Sequence, residues 1–197
     1  MNKAFSYIIL AALEAETQGL EAFAPIIYTG IGKINASIIA YEAILKYRPD
    51  LVINFGTAGS LGAFTGLQRI KNFVQSDMDA RALNFERGVT PFETCYLPNN
   101  DDITLGTSDS FITEPNKQLE GLKIKIDLVD MEAFALKKVC DHLKVDFHCY
   151  KYISDKANEV ANVQWQEKIH SGTEDFRELL KKEYGESQLN FPDDFTL

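Results

Sequence analysis

Short, continuous apolar runs alternate along this chain with segments of helical periodicity, and the runs end in glycines or carboxylates. Tyr7 to Ala12 and Pro25 to Thr29 are two such runs, the second leading into Gly30-Ile31-Gly32. Lys33 to Tyr47 then places Ile34, Ile38, Tyr41 and Leu45 at helical spacing, and Pro49 marks the end of that predicted helix. Leu51 to Phe55 is a strand-like run followed at once by Gly56-Thr57-Ala58-Gly59. A buried strand entering a glycine turn is what a sheet covered on both faces produces. Arg69 to Val74, Ile103 to Thr107, Ile124 to Val129 and Phe147 to Ile153 are further predicted strands. Met131 to Leu143 is a predicted helix, and Glu159 to Tyr184 a terminal helical region broken at Ser171-Gly172. Such alternation predicts an α/β fold, a three-layer sandwich with helices on both faces of a mixed, mostly parallel sheet. No repeat or linker divides the chain, so residues 1–197 are expected to form one domain.

In sheets of this kind ligands bind beyond the carboxyl ends of strands. That rule selects Glu16, Gly30 to Gly32, Thr57 to Gly59, Glu132 and Asp155 as one converging rim. Each has a purely structural explanation when taken alone: a helix cap for Glu16 or Asp155, a tight connection for either glycine turn. Three acids at three strand ends make a cleft more attractive. The dinucleotide fingerprint fails at Gly30-Ile31-Gly32, because Asn35 holds the third glycine position, and no Walker motif is present. Neither Ala4 to Gly32 nor Leu51 to Gln68 contains a Lys, Arg or His. Those turns are therefore poorly equipped for phosphate, although helix amino-termini do bind anions unaided.

Composition narrows the partners. The formal net charge is -9 and no Lys/Arg run is visible, which argues against nucleic acid. Cys95, Cys140 and Cys149 form no CxxC pair and share no metal-ligand spacing with His142, His148 and His170, so no metal is expected. His148 and Cys149 sit in an apolar run and read as core. The apolar start runs directly into Glu14 and Glu16, unlike a signal peptide, and no run approaches the roughly 18 residues of a membrane span. A cytoplasmic protein away from membranes is expected.

The segments IILAALEAE, GIGKINA, VINFGTAGSLG, TSDSFI, VDMEAFALKKVC and YISDKAN, in this order, resemble the nucleoside phosphorylase/nucleosidase superfamily. They look most like its methylthioadenosine/S-adenosylhomocysteine nucleosidase branch, and they cover most of the chain from Tyr7 to Asn158. The resemblance implies that Glu16 activates water and that Asp155, supported by Ser154, protonates the imidazole ring of the leaving purine. It implies that Gly32, Thr57, Ala58 and Gly59 surround the ribose and nucleophile, with Thr57 where a serine is common. Phe111 matches an aromatic that stacks on the base, and Ile112 a residue whose backbone pairs with the base edge. Met131 matches a residue under the ribose, and Glu132 one that accepts bonds from its hydroxyls. A small-molecule purine nucleoside as ligand, no cofactor and a homodimer are likewise implied. Lys151 stands where many relatives carry an arginine, which loses bidentate contacts, and Gln75 to Glu93 departs from the branch pattern.

Two acids with opposite tasks suit cleavage of an N-ribosidic bond, as in glycoside hydrolysis generally. Two rivals stay open on sequence grounds: a phosphate-dependent nucleoside phosphorylase, and a catalytically inactive nucleoside-binding protein of the same fold. Phe111 and Met131 could be plain core residues, and Lys151 a solvent-exposed strand end.

Overall fold

The longest strand organises the sheet, and it is longer than its glycines suggest. The structure, a computed structural model, describes residues 6–21, 23, 25–91, 101–185 and 187. Cys95 and the end of the Gln75 to Glu93 segment lie outside them. Strands β1 (Tyr7–Ala11), β2 (Ile26–Tyr28) and β3 (Leu51–Ser60) are followed by β4 (Leu67–Ile70), β5 (Asn72–Gln75) and β6 (Thr104–Thr107), then by β7 (Leu128–Asp130) and β8 (Asp146–Asp155). Helices α1 (Lys33–Tyr47), α2 (Pro115–Gln118), α3 (Ala133–Leu143), α4 (Ala161–Lys168) and α5 (Thr173–Glu183) connect or follow them.

Gly56 to Gly59 do not form a turn: they continue β3, which pairs in parallel with β8 along almost its whole length. The neighbouring strand supplies the ladder that holds glycine in extended backbone, so tertiary pairing overrides its low strand propensity. The other edge of β3 is shared. β1 pairs with it in parallel up to Asn54, and β7 pairs antiparallel only at Gly59 and Ser60. Between those contacts the edge of β3 is open, and the sheet is split there. β6 and β5 continue beyond β7 in parallel, while β4 pairs antiparallel with β8, giving the expected mixed, mostly parallel sheet.

Side chains alternate along β1 to build two layers. Ile8 and Leu10 pack with Ala36, Ala40 and Ile44 of α1 and Leu136 of α3. Tyr7 and Ile9 pack on the opposite face with Phe55, Tyr150 and the α5 residues Phe176 and Leu180. Helix α1 has the predicted limits but turns its small residues inward. Ala36, Ala40 and Ala43 allow close approach to the sheet, whereas Ile34, Ile38, Tyr41 and Leu45 face outward, Ile34 with 72% of its surface exposed. Three further expectations shift. The Arg69 to Val74 strand divides at Lys71 into β4 and β5, the Ile124 to Val129 strand contracts to β7, and the Met131 helix starts at Ala133. Met131 and Glu132 therefore lie in the β7–α3 connection. Among the described residues, no helix is long and apolar enough to cross a membrane.

Candidate active site

The split beside β3 is filled by a carboxylate. Glu16 ends a short 3-10 turn after β1, and it is buried. Its Oε1 accepts the Thr57 backbone N–H and the Thr57 hydroxyl, each at 2.9 Å, and its Oε2 accepts the Leu13 N–H at 3.1 Å. The β3 amide that lacks a strand partner is thus satisfied by a side chain, which also fixes the carboxylate.

Glu132 approaches from the β7–α3 connection. Its Oε1 accepts the Gly32 N–H at 2.9 Å, and Gly32 can present that amide because it holds φ 94°, a conformation costly for other residues. Burial, with Asp130 beside it, raises the Glu132 pKa to about 7, against the lowering effects of Lys151 and the Gly32 N–H.

Asp155 is the last residue of β8. Its Oδ2 accepts the Ser154 hydroxyl and its Oδ1 the Ala157 N–H, both at 2.8 Å, so the carboxyl is oriented from two sides. Gly59 makes room for it: a Cβ there would lie 2.7 Å from Asp155 Oδ1.

Behind these acids lies a buried ion pair. Lys151 Nζ is 2.9 Å from Asp130 Oδ2, with side chains only 2% and 1% exposed. Asp130 also accepts the Thr107 hydroxyl at 2.6 Å and the Ala133 N–H at 2.9 Å. Burial alone opposes the Lys151 charge, but Asp130, Cys149, Glu132 and Glu16 outweigh it and hold its pKa above the ordinary lysine value. Lys151 is therefore no exposed strand end.

A cavity of about 350 Å³ brings together Glu16, Thr57, Ala58, Gly59, Phe111, Ile112, Met131, Glu132, Ser154 and Asp155. Two residues expected at the site do not line it: Gly32 reaches it through its amide to Glu132, and Lys151 through Asp130. Ile112 is buried, whereas Phe111 remains 40% exposed. Asp130 and Trp165 line the cavity and went unnoticed in the sequence. Asp130 stands between Asp127 and Glu132 with nothing local to single it out, and a lone tryptophan in the polar segment ANVQWQEK was the available signal for Trp165. No Lys, Arg or His is among the cavity's lining residues. Lys33 sits at the rim, where its backbone N–H donates to Asp109 at 2.8 Å and its ammonium pairs with Asp77 and Asp109. That cluster ties the Gly32 turn to the Phe111 loop through Asp77, within the segment that departs from the branch pattern. Among the described residues, no cluster of His, Cys, Asp and Glu could hold a metal ion.

A split mixed sheet with carboxylates gathered at strand ends defines an α/β protein of the nucleoside phosphorylase fold. Residues 24–101 match the model of the phosphorylase superfamily. The chain is 30% identical over 176 residues to the 5′-methylthioadenosine/S-adenosylhomocysteine nucleosidase of Staphylococcus carnosus, covering 77% of each protein. It is 29% identical over 195 residues to the enzyme of the same name from Bacillus subtilis, covering 85% of this chain and 82% of that one. The nucleosidase of Colwellia psychrerythraea, solved in complex with adenine, superimposes with a TM-score of 0.81 at 20% identity, covering 93% of this chain and 98% of that one. A futalosine hydrolase mutant from Helicobacter pylori gives 0.78 at 20% identity, covering 89% and 97%. The chain belongs to the 5′-methylthioadenosine/S-adenosylhomocysteine nucleosidase family of the phosphorylase superfamily.

Proposed function

We propose that this protein is an N-ribosyl hydrolase that cleaves an adenine nucleoside, such as methylthioadenosine or S-adenosylhomocysteine, to free base and sugar. The observation that carries the reading is the placement of Glu16 and Asp155 on one cavity, each carboxyl held by donors on both oxygens. Asp155, protonated in the substrate complex, donates to an imidazole nitrogen of the base as the ribosidic C–N bond breaks and its electron pair leaves with the purine. A water held by Glu16 forms the new C–O bond at the anomeric carbon and gives Glu16 its proton. Glu132 accepts from the ribose hydroxyls, Met131 lies under the sugar, Phe111 stacks on the base, and Ile112 offers its backbone to the base edge. Ser154 keeps Asp155 aimed. The relatives' names, which state methylthioadenosine and S-adenosylhomocysteine nucleosidase activity, support the substrate class.

Phosphate as the nucleophile is disfavoured by electrostatics. Acids line the cavity, and Lys151 behind them is already neutralised by Asp130. A panel of purine nucleosides assayed for free base by chromatography, with and without phosphate, tests the reading. Base release that requires phosphate, or none from any nucleoside, would overturn it.

The same reading makes the protein a cytoplasmic homodimer. The outward stripe of Ile34, Ile38, Tyr41 and Leu45 on α1 is apolar surface of the kind that a second copy would cover. The free, buried thiols of Cys140 and Cys149 suit a reducing compartment.

A further inference from the structure

Trp165 is the chain's one tryptophan, and its indole N–H donates to Thr57 Oγ1 at 3.0 Å. The Thr57 hydroxyl in turn lies 2.9 Å from Glu16 Oε1, the oxygen that also takes the Thr57 backbone N–H. An indole N–H can only donate, and a threonine hydroxyl has one proton to give. With Trp165 on its acceptor side, that proton has Glu16 as its partner. The direction of donation is set by these valences: from Trp165, through Thr57, to the carboxylate.

We infer that Trp165 is a positioning residue for hydrolysis, acting through Thr57 to hold Glu16 as a hydrogen-bond acceptor aimed at the cavity; this rests on the proposed role of Glu16 in activating water. Packing alone gives no reason for the arrangement. Helix α4 buries only Ala161, yet Trp165 on the same helix reaches across to β3 and spends its single donor on a residue that contacts the carboxylate. A tryptophan serving only as an apolar wall would leave its ring in the cavity and its N–H to any acceptor. Here the N–H joins the hydroxyl that donates to the Glu16 carboxylate, so the docking of α4 and the orientation of the base are coupled.

The test is a double-mutant cycle on the full-length protein with methylthioadenosine: wild type, Trp165→Phe, Thr57→Val and the double variant, with kcat and KM measured separately. Trp165→Phe should lower kcat by about 3- to 10-fold, the span of one lost hydrogen bond, with a smaller change in KM. In the Thr57→Val background the same substitution should change kcat by less than about 2-fold, because the relay is already broken. Emission from this sole tryptophan gives a readout independent of turnover. Thr57→Val should shift it to shorter wavelength as the N–H loses its acceptor, whereas Thr57→Ser should keep the wild-type spectrum. The emission arm stands even if Trp165→Phe folds poorly. A raised KM with kcat intact, an equal loss in both backgrounds, or unchanged emission in Thr57→Val would overturn the relay. A wild type that releases no base overturns the hydrolase reading together with it; a wild type that turns over beside an equally active Trp165→Phe overturns the relay alone.

Discussion

Replacing Lys151 with methionine isolates the energetics under the active site. The side chains of Lys151 and Asp130 are 2% and 1% exposed and their charged atoms lie 2.9 Å apart. Methionine fills much of the same volume but leaves Asp130 buried with two neutral donors, the Thr107 hydroxyl and the Ala133 N–H, and no countercharge. Removing one partner of a buried pair costs about 3–5 kcal/mol. For a domain of this size each kcal/mol moves Tm by about 2–4 °C, so Lys151→Met should melt roughly 6–20 °C below wild type. The double variant Asp130→Asn/Lys151→Met removes both charges and should recover more than half of that loss, since it is the orphaned charge that is costly. Activity should move as well. Lys151 lowers the Glu132 pKa, so its loss pushes that value further above about 7 and leaves less ionised Glu132 for the ribose at neutral pH. Thermal melts followed by circular dichroism, with turnover at pH 7, measure both. A single variant melting within about 2 °C of wild type would show that Lys151 does not compensate a buried carboxylate, and the reasoning would fail.

Asp155→Asn and Glu16→Gln should each lower turnover about 10²- to 10⁴-fold, measured as base release. Each amide also sets an NH₂ against a backbone or hydroxyl donor, so melts read in parallel should fall by no more than the roughly 1–3 kcal/mol of one mismatched contact. The raised Glu132 pKa carries a stability sign. The folded protein binds the proton that the unfolded chain releases near pH 4.5, so this contribution is full below that value and is lost as pH rises through about 7. Glu132→Gln should flatten that slope in urea melts taken from pH 4.5 to 8, and an unchanged slope would place the titration elsewhere. Ile38→Asp on the outward face of α1 should convert a homodimer to monomer by light scattering, whereas a monomeric wild type would leave the stripe without that role.

What was legible in the sequence was local. Helix α1 begins after Gly32 and ends before Pro49 as its periodicity and breakers indicate, and Glu16, Glu132 and Asp155 sit close to strand ends as the sheet rule requires. What was hidden depended on neighbours that no window of sequence contains. Periodicity disclosed an apolar stripe on α1 but not its direction, because the alanine face packs closer to the sheet. Glycines 56 and 59 looked like a turn because their strand character comes from β8, far along the chain. Lys151 could be a strand end or a site residue until Asp130 stands opposite it, and nothing in its own segment links Trp165 to Thr57.

The deeper reason the site escaped a linear reading is topological. The site exists because β1 stops at Ala11 while β7 joins β3 only at Gly59, which leaves part of one β3 edge without a ladder. An unpaired buried amide must find an acceptor, and Glu16 is that acceptor at Thr57. The carboxylate that completes the sheet is therefore the one the proposed chemistry needs. Lengthening either strand across the gap would satisfy the backbone without Glu16. Fold and site share one cause, a defect in strand pairing, and its position is set jointly by three strands that local patterning can only treat one at a time.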